Sequence, residues 1–119
     1  MSCSMTIDAV RERSKTVTRR HVDTWKNLKP LDRLTLIEKG MGLPKGTKQV
    51  VLAEVVVVDV RVEPLGQIYI EKHGVAREGL SPMSPDEFFQ FWCRSHGARF
   101  DEPDDVWCRR IEWRYTEPA

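Results

Sequence analysis

Seven consecutive residues, Ser14-Lys15-Thr16-Val17-Thr18-Arg19-Arg20, place three hydroxyls and three cations side by side. They supply hydrogen-bond donors, candidate nucleophiles and one titratable amine within reach of a single polar ligand. If the run is extended, Thr16, Thr18 and Arg20 share one face while Val17 and Arg19 take the other. Lys15 then converges with Thr18 only where the backbone turns near Lys15, as at the end of a preceding helix. In an enclosed cleft, desolvation and the neighbouring arginines would both disfavour the ammonium, drawing Lys15 down from about 10.4 toward the range of a general base. A neutral Lys15 could take the Thr18 proton, and that pairing suits attack on an acyl carbon. Read without other context, the same run is a surface strand with Lys15 solvated, because charge-rich stretches usually are.

The elements that must position this run follow from periodicity. Thr6 as a cap with Ile7 and Val10 predicts a short first helix ending near Ser14. Leu34, Leu36 and Ile37 read as a brief strand, followed by a basic loop of Gly40, Gly42, Pro44 and Gly46 with Lys45 and Lys48. Val50 to Val62 is the clearest strand, with Val56, Val58, Val60 and Val62 on one face and Asp59 and Arg61 on the other. Ile68 to Ile70 read as a short strand or the rim of a pocket, and Val75 to Glu78 as a helical turn ended by Gly79. Ser84-Pro85-Asp86-Glu87 starts a helix whose apolar face is Phe88, Phe89, Phe91 and Trp92 and whose stop is Gly97. After an acidic loop, Asp101 to Asp105, the last strand alternates Trp107, Ile111, Trp113 and Tyr115 against Cys108, Arg110, Glu112 and Arg114, with Arg109 at a rim. Short strands with few helices, no βαβ rhythm and no repeat predict an α+β fold: a small β-barrel with two to three helices packed around it.

A chain of 119 residues, 40% hydrophobic and 31% charged, fits one domain over residues 1–119. The apolar run Val55 to Val58 is far short of a membrane span, and Asp8, Arg11 and Glu12 interrupt any leader-like segment, so a cytoplasmic protein without membrane contact is expected. Cys3, Cys93 and Cys108 are odd in number and form no Cys-x-x-Cys unit, so reduced thiols are expected. Cys93, His96 and Cys108 could share a metal, but structural zinc closes four ligands, so a buried Cys93 and no metal or cofactor is the better reading.

The passage from Met5 through Asp32-Arg33-Leu34, with Lys15-Thr16-Val17-Thr18 and then Arg20 inside it, resembles the start of the ASCH family. A second anchor is Ala76-Arg77-Glu78-Gly79-Leu80, and a third is the aromatic helix and terminal strand, so the resemblance touches most of the chain. It departs at Leu31, where the family usually has glycine before the aspartate, so the turn either needs no positive φ or is slightly strained. The resemblance implies a PUA-like barrel with the conserved segment and Glu78 lining a cleft between barrel and helices. Some small single-domain ASCH proteins remove the acetyl group from N4-acetylcytidine with Lys, Thr and Glu. On that match Lys15 is the base, Thr18 the nucleophile and Glu78 their partner; the neighbouring Thr16, Arg19, Arg20 and His21 are the residues expected to bind substrate.

The expected function is therefore binding of RNA or a modified nucleoside or nucleotide in this cleft, with amide hydrolysis as the chemistry the resemblance implies. The alternative is a non-catalytic module for single-stranded RNA, and a ribonuclease ranks third because no His pair accompanies the site. Net charge is only +1, but Arg11, Arg13, Lys15, Arg19, Arg20 and His21 make a local basic cluster, and Trp25, Tyr69 or Trp107 could stack a base if exposed nearby. Oligomeric state is not readable from the sequence.

Overall fold

In chain order the elements are α1 (Ile7–Arg11), β1 (Val17–His21), β2 (Arg33–Ile37), β3 (Val51–Pro64), a 3-10 turn (Leu65–Tyr69), α2 (Gly74–Arg77), α3 (Pro85–His96) and β4 (Trp107–Tyr115). This computed structural model describes residues 1–39, 44–97 and 105–118. Gly40 and Gly42 of the expected basic loop and residues 101–104 of the expected acidic loop lie outside the described residues. Among the described residues no helix is long and apolar enough to cross a membrane.

β-Branched side chains make β3 the longest strand, and it pairs antiparallel with β4 on one side and β2 on the other. β1 joins the far side of β4, giving the order β1-β4-β3-β2 in a curled half-barrel. Between Val57 and Asp59 the β3–β4 register shifts at a bulge, which exchanges the strand's two faces. Ala53, Val55 and Val57 point into the core before the shift and Val60 packs against it afterwards. The single valine face expected from strict alternation is thus broken, and Val58 and Val62 are exposed.

Both sides of β4 are buried. Ile111 and Trp113 join Val10, Leu34, Leu36, Val55 and Val57 in one apolar cluster, and Cys108 joins Leu65, Ile68, Phe88, Phe89 and Trp92 in a second, beneath α3. Trp107, expected in the inward series, is instead 49% exposed. Residues 65–69 form a 3-10 turn rather than a strand, which lets both Leu65 and Ile68 reach the second cluster. Helix α3 begins as its residues predict: Ser84 accepts from the Glu87 amide, Glu87 accepts from the Ser84 amide, and Pro85 follows the cap. Helix α1 stops at Arg11, three residues short of Ser14.

The two edges of the sheet are not left open. Ser2 forms a parallel bridge with Ile37 beside β2, and its carbonyl accepts from Arg20 Nη2 of β1 at 2.8 Å. On the outer edge of β1, the Arg19 amide donates to Glu78 Oε1 at 3.1 Å, and the Arg19 carbonyl accepts from Trp92 Nε1 at 2.8 Å. Backbone groups that would otherwise template another strand are thereby satisfied, and α2, α3 and the amino-terminal segment are drawn around β1.

Candidate functional site

After α1 the chain reverses through Arg13, at φ 67°, and the amides of Ser14 and Lys15 both donate to the Ala9 carbonyl, at 2.9 and 3.1 Å. This is the turn that convergence of Lys15 and Thr18 requires. The Lys15 carbonyl is then fixed by Trp113 Nε1 at 3.1 Å and by the Tyr115 hydroxyl. Gly79 allows close approach from the other side. At φ 82°, a Cβ there would stand 2.7 Å from Ala9 Cβ and 3.2 Å from Lys15 Cβ.

Lys15 is 4% exposed, and its Nζ donates to the carbonyls of Val17 at 3.0 Å and Glu78 at 2.6 Å. Burial pulls its pKa below the ordinary lysine value; the nearby Glu78 charge works against the shift, and Arg20 and Arg19 reinforce it. Thr18 is also buried, and its Oγ1 accepts from Arg20 Nε at 3.1 Å. A guanidinium in that position favours negative charge on Oγ1. The Glu78 carboxylate is turned to β1: Oε1 takes the Arg19 amide, while Oε2, 3.7 Å from Arg19 Nη1, is buried without a hydrogen-bond partner.

Lys15, Thr18, Arg20 and Glu78 line one cleft of about 220 Å³. Glu78 holds Lys15 through its main-chain carbonyl, not its carboxylate, and Lys15 Nζ bonds to carbonyls instead of Thr18 Oγ1. The base–nucleophile hydrogen bond is therefore not formed in this structure.

The other expected binding residues separate. Arg19 borders the cleft through its backbone, but its guanidinium is wholly buried on the opposite face of β1, paired with Glu71 Oε1 at 2.8 Å. Thr16 lies outside the cleft lining; its amide donates to the Arg77 carbonyl and its hydroxyl accepts from Arg77 Nε. His21 is exposed at the end of β1, where its Nδ1 accepts from the Asp23 amide. Trp25, Tyr69 and Trp107 are exposed, but none borders the cleft.

Three groups escaped the sequence reading. The cleft's far wall is the α3 face of Phe88, Phe91 and Trp92, continued by Ser95 and His96. The helical spacing of that stripe was legible, but it reads as core until its polar end is noticed. Cys3 also borders the cleft, with burial raising its thiol pKa, so it remains a thiol rather than a nucleophile. Glu71 carried no motif, yet it joins Arg19 to Arg110, each at 2.8 Å. Burial alone would raise its pKa, but the Arg110 hydrogen bond and the Arg19 charge hold it below the ordinary carboxylate value. Cys93 is fully buried, and among the described residues no group of three or more His, Cys, Asp or Glu is placed to hold a metal.

No family model and no curated protein matches the sequence. The fold is similar to the crystal structure of protein EF3133 from Enterococcus faecalis V583, of the DUF984 family. The TM-score is 0.62 at 15% identity, covering 95% of this chain and 71% of that one. At that identity the likeness is one of fold.

Proposed function

We propose that the cleft binds a pyrimidine nucleoside, free or within RNA, and hydrolyses an acyl group from its exocyclic amine, as in the ASCH proteins that act on N4-acetylcytidine. On this reading the half-barrel is a PUA-like ASCH domain working in the cytoplasm. The observation that carries it is the shared cleft: a buried lysine with a depressed pKa, a buried threonine held by a guanidinium, and a glutamate with one unpartnered oxygen.

The chemistry follows from these groups. Neutral Lys15 leaves its carbonyl partners and takes the proton of Thr18 as Oγ1 bonds to the acyl carbon. The C=O electron pair moves to the acyl oxygen, and Arg20, already beside Oγ1, is the cation that meets the charge on that oxygen. Collapse of the tetrahedral intermediate breaks the C–N bond, and the protonated Lys15 returns its proton to the departing amine. Water, giving a proton to Lys15, then attacks the acyl carbon; the C–Oγ1 bond breaks, Lys15 returns the proton to Oγ1, and the acyl group leaves as a carboxylic acid.

One observation favours a non-catalytic RNA-binding module instead: both bonds of Lys15 Nζ go to carbonyls. Incubation with N4-acetylcytidine, following cytidine and acetate release, separates the two. Hydrolysis predicts that Thr18→Ala and Lys15→Ala each remove most turnover and that the double variant is hardly worse than either, because nucleophile and base act as one unit. Glu78→Gln keeps the carbonyl that holds Lys15 but removes the charge that favours protonated Lys15, so it should lower turnover while sparing binding. A wild type that binds nucleoside or RNA without releasing cytidine leaves the module reading standing and sinks the hydrolase.

A further inference from the structure

Trp92 is 4% exposed, its indole Nε1 fixed on the Arg19 carbonyl. The His96 ring lies on that indole, with centroids 3.9 Å apart and planes inclined by 16°. His96 Nδ1 is 2.8 Å from the Trp92 carbonyl. A carbonyl only accepts, so Nδ1 carries the hydrogen. The imidazole is thus pinned twice, by a stack and by a hydrogen bond, although the residue is exposed to solvent. An exposed side chain ordinarily keeps its rotamer freedom, and this one has given it up at the wall of the cleft. Trp92 covers one face of the ring, no other aromatic stack is made by His96 among the described residues, and both residues line the cleft.

We propose that the open face of His96 is the platform on which the ring of a nucleobase lies, completing a base–imidazole–indole stack. This rests on the cleft being a nucleoside site and adds the element that would recognise the base. Lys15, Thr18 and Glu78 could engage an acylamino group, but none of them offers a planar surface. Stacking asks for a flat heteroaromatic ring, and it is shared by a free nucleoside and by a base in single-stranded RNA. Because every base has a π face, the platform sets the class of ligand, and the polar side of the cleft must choose among bases.

The test is binding of cytidine, N4-acetylcytidine and a short oligocytidine RNA by wild type, His96→Ala and His96→Phe, measured calorimetrically. His96→Ala should weaken binding about tenfold, the scale of a lost base–aromatic stack, while His96→Phe keeps affinity within about threefold. Thermal unfolding checks that each variant is folded at the temperature of the titration; His96→Ala should melt lower, because its stack on Trp92 and its bond to the Trp92 carbonyl are lost. Loss confined to the nucleosides or to the RNA assigns the platform to that source. Wild-type affinity in His96→Ala overturns the platform and leaves the nucleoside site intact. Equal loss in both variants also overturns it, because the lost contact would then be a hydrogen bond. If wild type binds none of the three probes, the platform and the nucleoside site fall together.

Discussion

At the scale of single residues, the fold changes the chemistry of Lys15. It is buried among polar partners, and desolvation holds its pKa below the ordinary 10.5. Two consequences have the same sign. As a base Lys15 must be neutral, so kcat/KM should rise with pH through its lowered pKa. Between that pKa and 10.5 the folded state binds fewer protons than the unfolded chain, so this residue's contribution to stability also rises with pH. Burial raises the Cys3 and Cys108 thiols, the latter to about 12, which gives the opposite slope over part of the same range. The Lys15 term is therefore read as the difference between wild type and Lys15→Met. In urea unfolding from neutral pH upward, wild type should gain on the variant as pH rises. A constant difference would mean that Lys15 titrates as an ordinary lysine.

At the scale of elements, the turn into β2 shows what a sequence can and cannot specify. Leu31 stands where the resemblance expects glycine, and it adopts φ 76° while donating its amide to the Val57 carbonyl at 2.8 Å. Leu31 thus holds the left-handed conformation with a side chain, so the strained alternative applies. The side chain is 81% exposed and gives back nothing in packing. Relief of about 1–2 kcal/mol of backbone strain, less the extra freedom of glycine in the unfolded chain, predicts that Leu31→Gly stabilises by about 1 kcal/mol. Thermal unfolding decides it, and a lower midpoint would show that the turn is not strained. Signals of this local kind were legible throughout: the Ser84 capping box, Gly97 ending α3 and the β-branched run of β3 all depend on near neighbours. The bulge after Val57 was not legible, because a register shift depends on the partner strand. Nor was the inward turn of Cys108 and Arg110, since only the docking of the 3-10 turn and α3 gives β4 a second buried face.

At the scale of the whole molecule, Arg19 and Arg20 show why a basic run is a poor guide to a binding surface. Adjacent in sequence, they point to opposite faces of β1. The guanidinium of Arg19 is completely buried between Glu71 and Glu78, within a network that continues through Arg110 to Glu112 and Arg77. Arg20 is half-buried at the cleft, joining Thr18 to the Ser2 carbonyl and so one edge of the sheet to the segment that pairs with the other. Their losses should therefore differ in kind. Arg19→Ala removes the guanidinium that faces the buried Glu78 carboxylate, and breaking a buried pair in this way costs about 3–5 kcal/mol. Glu71 keeps Arg110, which limits the damage on that side. Arg20→Ala removes two charge-assisted hydrogen bonds from a site that water can reach, so its cost should be about 1–2 kcal/mol. Function should order the two the other way. Under conditions where both variants remain folded, Arg20→Ala should lose more of any nucleoside hydrolysis, because it frees the Thr18 hydroxyl. It should also lower the salt slope of any RNA binding by about one at most, while Arg19→Ala leaves that slope unchanged. Urea unfolding and a salt titration on the same two proteins would measure both halves. Equal stability losses, or a slope that falls with Arg19 rather than Arg20, would return the run to the role of a single basic strip.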